Sequence, residues 1–120
     1  MSRRGWARLA LERYGLLKRW RELALIVARA CREVLGPGCL EVYVVGGAAE
    51  GRLTVLSDVD VVIVVDDPRS KGVDTRVALR RRAEELGLPV EAPVDLKIHT
   101  PDELGELRSR GLYRVLVRIA

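Results

Sequence analysis

Two aspartates one residue apart, Asp58 and Asp60, open the run DVDVVIVV, where a buried strand would normally carry valine or isoleucine. Period-two geometry puts both on one side of a strand, roughly 6.5–7 Å apart, a spacing that lets two carboxylates reach one or two cations. A third acid, Asp95, stands near the start of another strand-like segment, VDLKIHT. Upstream lies a glycine-rich bend, GGAAEG, whose Gly46 and Gly47 let backbone N–H groups approach an anion closely. Acids spaced for a hard cation, beside a corner open to phosphate, are the ingredients of phosphoryl transfer.

Two familiar phosphate motifs are excluded. The dinucleotide fingerprint GxGxxG needs a glycine where the chain has Ala48. The P-loop needs Lys followed by Ser or Thr after its second glycine, and here Gly51 precedes Arg52 and Leu53.

The surrounding elements decide whether the acids meet. Trp6, Leu9, Leu16, Trp20, Leu23, Val27, Cys31 and Val34 recur at helical steps and predict an amphipathic helix over the first 35 residues, bent or split at Gly15 and ended by GPG at 36–38. LEVYVV (40–45) and VDVVIVV (59–65) read as strands; their near-continuous β-branched runs imply a sheet covered on both faces. A turn at 66–72 leads to a basic helix from Asp74 to Leu86. Residues 94–100 alternate as a strand with one more accessible face. Thr100-Pro101-Asp102-Glu103 is a capping box that starts a short helix to Arg110, and LYRVLVRIA closes the chain as a last strand.

The fold class is therefore α/β, with a mixed sheet of three to four strands flanked by helices in the order α-β-α-β-α-β-α-β. A right-handed crossover makes strands 59–65 and 94–99 parallel, and a short return makes 40–45 antiparallel to 59–65. Asp58, Asp60, Asp95 and the glycine corner then share one end of the sheet. Three acids that close raise one another's pKa unless a positive partner is present, and Mg²⁺, which prefers oxygen ligands and shares them with phosphates, is the natural one.

On these residues the chain resembles the nucleotidyltransferase superfamily that includes DNA polymerase β, and specifically its minimal nucleotidyltransferases. That family has a strand ending in Gly-Ser, a ten-residue spacer, then Asp-x-Asp opening the next strand. Here the run is Gly46-Gly47, the spacer Ala48 to Ser57, then Asp58-Val59-Asp60. The departure is Gly47, which replaces the family's serine and loses a hydroxyl; bacterial-type tRNA nucleotidyltransferases carry Gly-Gly there. The resemblance implies that Asp58, Asp60 and Asp95 bind a pair of Mg²⁺ ions and catalyse, and that Gly46, Gly47 and Ser57 contact the nucleotide. It also implies ATP as donor, an acceptor hydroxyl on a HEPN-domain partner, and an antitoxin role in a toxin–antitoxin pair. Arg52 and Lys97 are charge neutralisers or solvent-facing residues, and His99 reads as a surface or hydrogen-bonded histidine rather than a ligand.

Composition bounds the rest. With 120 residues and a formal net charge of +4, the chain is expected to form one domain, its first 35 residues a basic amphipathic segment and the remainder the catalytic core. Nine of the 21 basic residues fall in those first 35, against three glutamates. That surplus keeps nucleic acid or an acidic partner open as a binding reading, with nucleic acid not favoured. No apolar run reaches the roughly 18 residues of a membrane span and no export signal is seen, so a cytoplasmic, membrane-free location is expected. Cys31 and Cys39 read as free thiols, since no CxxC pair or second histidine supports a metal site. Asparagine and glutamine are absent, which fits a thermophilic source. The competing functional reading is a weakly active or inactive nucleotide-binding antitoxin that acts by contact.

Overall fold

The structure, a computed structural model, describes residues 3–120. Helices α1 (Arg3–Lys18) and α2 (Trp20–Leu35) lead into strand β1 (Cys39–Val45), followed by the single turn α3 (Gly47–Glu50) and strand β2 (Val59–Val65). Helix α4 (Val73–Glu85), strand β3 (Val94–His99), helix α5 (Pro101–Ser109) and the two-residue strand β4 (Val117–Arg118) complete the chain. The four strands form one sheet in the order β3-β2-β1-β4.

The expected pairing directions hold. β1 and β2 run antiparallel and place Val45 opposite Asp60, while β2 and β3 run parallel and place Asp60 opposite Asp95. The β2–α4–β3 crossover is what makes that parallel pair, because a strand needs a helix-length return to re-enter a sheet in the same direction.

Alternation along β2 divides its side chains between two cores. Val59, Val61, Ile63 and Val65 pack with Leu23, Val27 and Ala30 of α2 and with Leu79 and Ala83 of α4. Each such aliphatic side chain contributes about 1.5–3 kcal/mol when fully buried. The other face is thinner: Val45, Val62 and Val64 meet Leu104 of α5, with Tyr43, Tyr113 and Leu116 at its edge.

Three expectations are corrected. The helical break falls at Arg19, not Gly15: an exposed glycine lowers helix propensity by only about 1 kcal/mol, and nothing lies within 4 Å of a Cβ placed there. The turn at Arg19 instead lets α2 lie along the sheet, with six buried residues, while α1 buries Leu17 alone and leaves Trp6 and Leu9 exposed. Cys31 and Cys39 form a disulfide rather than free thiols, because the 3₁₀ turn at Gly36–Gly38 returns the chain so tightly that their Cα atoms stand 5.9 Å apart. The last strand is also far shorter than LYRVLVRIA, since Tyr113 and Leu116 leave the sheet edge to cover its second face.

The α5 capping box forms as expected: the Thr100 hydroxyl accepts from the Glu103 N–H, and Glu103 reaches back to the Thr100 N–H. Among the described residues no helix is long and apolar enough to cross a membrane.

Candidate active site

Asp60 and Asp95 face each other from adjacent parallel strands on the thinly covered side of the sheet. Lys97, two residues along the same face of β3, sets its Nζ 3.8 Å from Asp60 Oδ1 and 3.9 Å from Asp95 Oδ2. Burial holds the Asp60 carboxyl above its ordinary pKa; Lys97 pulls it down, and the negative charges of Asp95 and Asp58 push it up again. Asp58 and Asp95 therefore both stand within electrostatic reach of Asp60. Asp95 is half exposed, so of the three Asp60 is the carboxylate most removed from water.

The loop before β2 is held from the N-terminal helix. Arg13 of α1 donates from Nη2 to Asp58 Oδ1 at 2.7 Å and to the Ser57 carbonyl at 2.9 Å, and from Nε to the Val55 carbonyl at 2.9 Å. Ser57 Oγ accepts from the Thr54 N–H at 2.9 Å, which folds the loop onto itself. This guanidinium lies 45 residues from Asp58, and no local spacing announced it.

The two glycines of the corner differ in how tightly their surroundings hold them. Gly46 adopts φ +73°, and a Cβ there would sit 2.6 Å from Asp60 Oδ2, so the acid and the glycine fit only together. A Cβ at Gly47 would lie 3.3 Å from the Arg52 carbonyl oxygen and 3.9 Å from Ser57 Oγ. The serine expected at this position would need the Arg52 backbone to give by a few tenths of an ångström.

A model of the nucleotidyltransferase domain family matches residues 26–116, three quarters of the chain. The chain belongs to that family. The matched span contains β1, the glycine corner, Asp58, Asp60 and Asp95, and leaves α1 with Arg13 outside. The nucleotidyltransferase is also similar to a crystal structure described as a candidate nucleotidyltransferase from Sulfolobus solfataricus. The two share 20% identity over 92% of this chain and 85% of that one, with a TM-score of 0.58, a likeness of fold. No curated protein sequence matches it. Nucleotidyl transfer is thus the activity of this domain, and nucleoside triphosphate with a divalent metal is what the family typically uses.

Among the described residues no three acidic, histidine or cysteine side chains are drawn together as a ready-made metal cage. Each acid instead leans on a cation of the chain, Asp58 on Arg13, Asp60 and Asp95 on Lys97. The donor set still suits a hard divalent ion. It offers carboxylate oxygens only, from three acids of which Asp60 and Asp95 share the single Lys97 ammonium.

Of the other flagged residues, Arg52 turns away to pair with Glu50 at 2.9 Å, and His99 shares a 3.1 Å hydrogen bond with Tyr113. Lys97 is the one that stands beside the acids, 3.8 Å from Asp60 and 3.9 Å from Asp95. Arg13 and Tyr113 are the contributors that sequence reasoning missed.

Proposed function

We propose that this nucleotidyltransferase transfers AMP from Mg-ATP to a hydroxyl on a partner protein of the HEPN class, acting as the antitoxin of a toxin–antitoxin pair. The observation that carries the catalytic half is the register pairing of Asp60 with Asp95 beside Gly46. The family resemblance supports the identity of the partner.

In this reading Asp58, Asp60 and Asp95 would hold two Mg²⁺ ions, which when bound would supply the charge neutralisation that an in-line displacement needs. Gly46 and Gly47 admit the β- and γ-phosphates, and Ser57 shapes the loop beside them. Asp95, the half-exposed acid, accepts the proton of the acceptor hydroxyl. That oxygen forms its bond to the α-phosphorus as the bond to the β-phosphate oxygen breaks, and pyrophosphate leaves. Lys97 offsets charge between Asp60 and Asp95 throughout.

The test incubates the chain with Mg-ATP and the protein encoded beside it, which the resemblance implies is of the HEPN class, reading pyrophosphate and the partner's mass. Pyrophosphate release with the added mass of one adenylyl group supports the reading; nucleotide uptake without turnover favours the contact-acting antitoxin. That second reading draws on the occupation of the acids by Arg13 and Lys97. We assign the protein to the cytoplasm of a thermophile, where the Cys31–Cys39 bridge and the absence of asparagine and glutamine are compatible with each other.

A further inference from the structure

A cleft of about 200 Å³ opens beside the acids, with Val45, Gly46, Glu50 and Asp60 on one wall and residues 111–114 on the other. The second wall is built at a cost. Tyr113 has φ +52°, the one positive φ at a non-glycine among the described residues, and an aromatic side chain in that region costs roughly 1–3 kcal/mol.

The strain is held by a chain of contacts. The Tyr113 hydroxyl is 3.1 Å from His99 Nε2, and the two rings lie 5.8 Å apart. His99 Nδ1 is 3.8 Å from Glu103 Oε2, and Glu103 Oε1 pairs with Lys71 Nζ at 2.6 Å and accepts from the Thr100 hydroxyl at 3.0 Å. Strand end, helix cap and the turn before α4 therefore all fix where this loop stands. Among the described residues none of these shares a hydrogen bond or ion pair with the acids, so the mechanism above leaves the arrangement unexplained.

What it presents to the cleft is Arg114. This guanidinium is exposed, lines the cavity, and has no hydrogen bond or ion pair among the described residues, whereas most of the chain's arginines near acids are paired. Across the cleft stand Asp60 and the Cβ-free corner at Gly46. One wall calls for a cation and the other offers one. A ligand that satisfies both is anionic at one end and brings a divalent ion at the other.

We propose that residues 111–114 form a phosphate-contacting wall in which Arg114 binds the terminal phosphates of the nucleoside triphosphate, and that Tyr113, latched to His99, is the positioning residue that aims it. This rests on the reading of the chain as a metal-dependent nucleotidyltransferase and names the residue that recognises the leaving pyrophosphate portion. A guanidinium suits that task because its planar fork bonds two phosphate oxygens at once.

Calorimetric titration with Mg-ATP tests it, using wild type, Arg114→Ala, Arg114→Lys, Tyr113→Phe and Asp60→Asn, with melting temperature checked for each. Arg114→Ala is expected to weaken Mg-ATP binding about tenfold to hundredfold at an unchanged melting temperature. Arg114→Lys should recover part of the loss, since the charge stays and the fork goes. Tyr113→Phe should show a smaller loss, because the latch rather than the contact is removed. Wild-type affinity in Arg114→Ala overturns the contact, and wild-type affinity in Tyr113→Phe overturns the latch. If wild type itself takes up no Mg-ATP, the functional reading has failed first; if wild type binds and Asp60→Asn does not, that reading stands whatever Arg114 does.

Discussion

The two faces of the sheet divide the work between them. On one, Val59, Val61, Ile63 and Val65 of β2 interlock with α2 and α4, and every one is fully buried. On the other, α5 and the 111–116 segment cover only Val45, Val62 and Val64, and the same end of that face is left to Asp60, Asp95 and Lys97. One strand serves both because successive side chains point to opposite sides. The lesson is that a charge can enter a strand this apolar when its neighbours on the other face carry the stability. Slipping the register by one residue would exchange the two sets and lose both.

Substitutions on either face sharpen that contrast. The largest stability effect belongs to the covered face: Ile63→Ala should cost about 2–5 kcal/mol in urea unfolding, as a cavity left among Leu23, Val27 and Leu79 cannot collapse fully. Its Mg-ATP affinity, measured well below the midpoint, should stay within about twofold of wild type. A loss of binding as large as the loss of stability would break the division.

Asp60→Asn reads the other face. Burial raises the Asp60 pKa, so the folded chain holds that proton more tightly than the unfolded chain does. The stability this provides is present below the unfolded value, near 3.9, and is lost as pH rises through the higher folded value. At neutral pH the ionised acid therefore weighs against the fold, and Asp60→Asn should unfold at a slightly higher urea concentration than wild type. The gap should close as pH falls toward 4, and a gap that widens instead would contradict the sign.

The smallest effect is expected at Arg13→Ala. The Arg13–Asp58 pair is substantially exposed, so its loss should cost no more than about 1 kcal/mol. Hydrogen exchange at Ser57 and Asp58 should nonetheless quicken, since three hydrogen bonds to that loop go with the guanidinium.

What the sequence disclosed follows from the range of the forces involved. β2 was legible to the residue because its β-branched run is long and bounded by charge, and α5 because its capping box is a local motif. The meeting of Asp60 and Asp95 followed from crossover handedness, a rule of topology. Arg13 and the Tyr113–His99 latch escaped because each joins segments far apart in sequence through side-chain reach. The disulfide escaped for a different reason: spacing alone did not reveal how sharply GPG turns the chain. The break at Arg19 shows packing overriding propensity, since α2 tilts where its apolar face meets the sheet rather than where a glycine weakens the helix.

On this reading Asp60 and Asp95 seat a divalent ion and a triphosphate beside Gly46. Calorimetry of ATP binding with and without Mg²⁺, in wild type and Asp60→Asn, tests it most directly. Magnesium-dependent uptake by wild type, weakened by at least about 100-fold in Asp60→Asn, is the expected result. Uptake indifferent to magnesium, or equal in the two proteins, would contradict it.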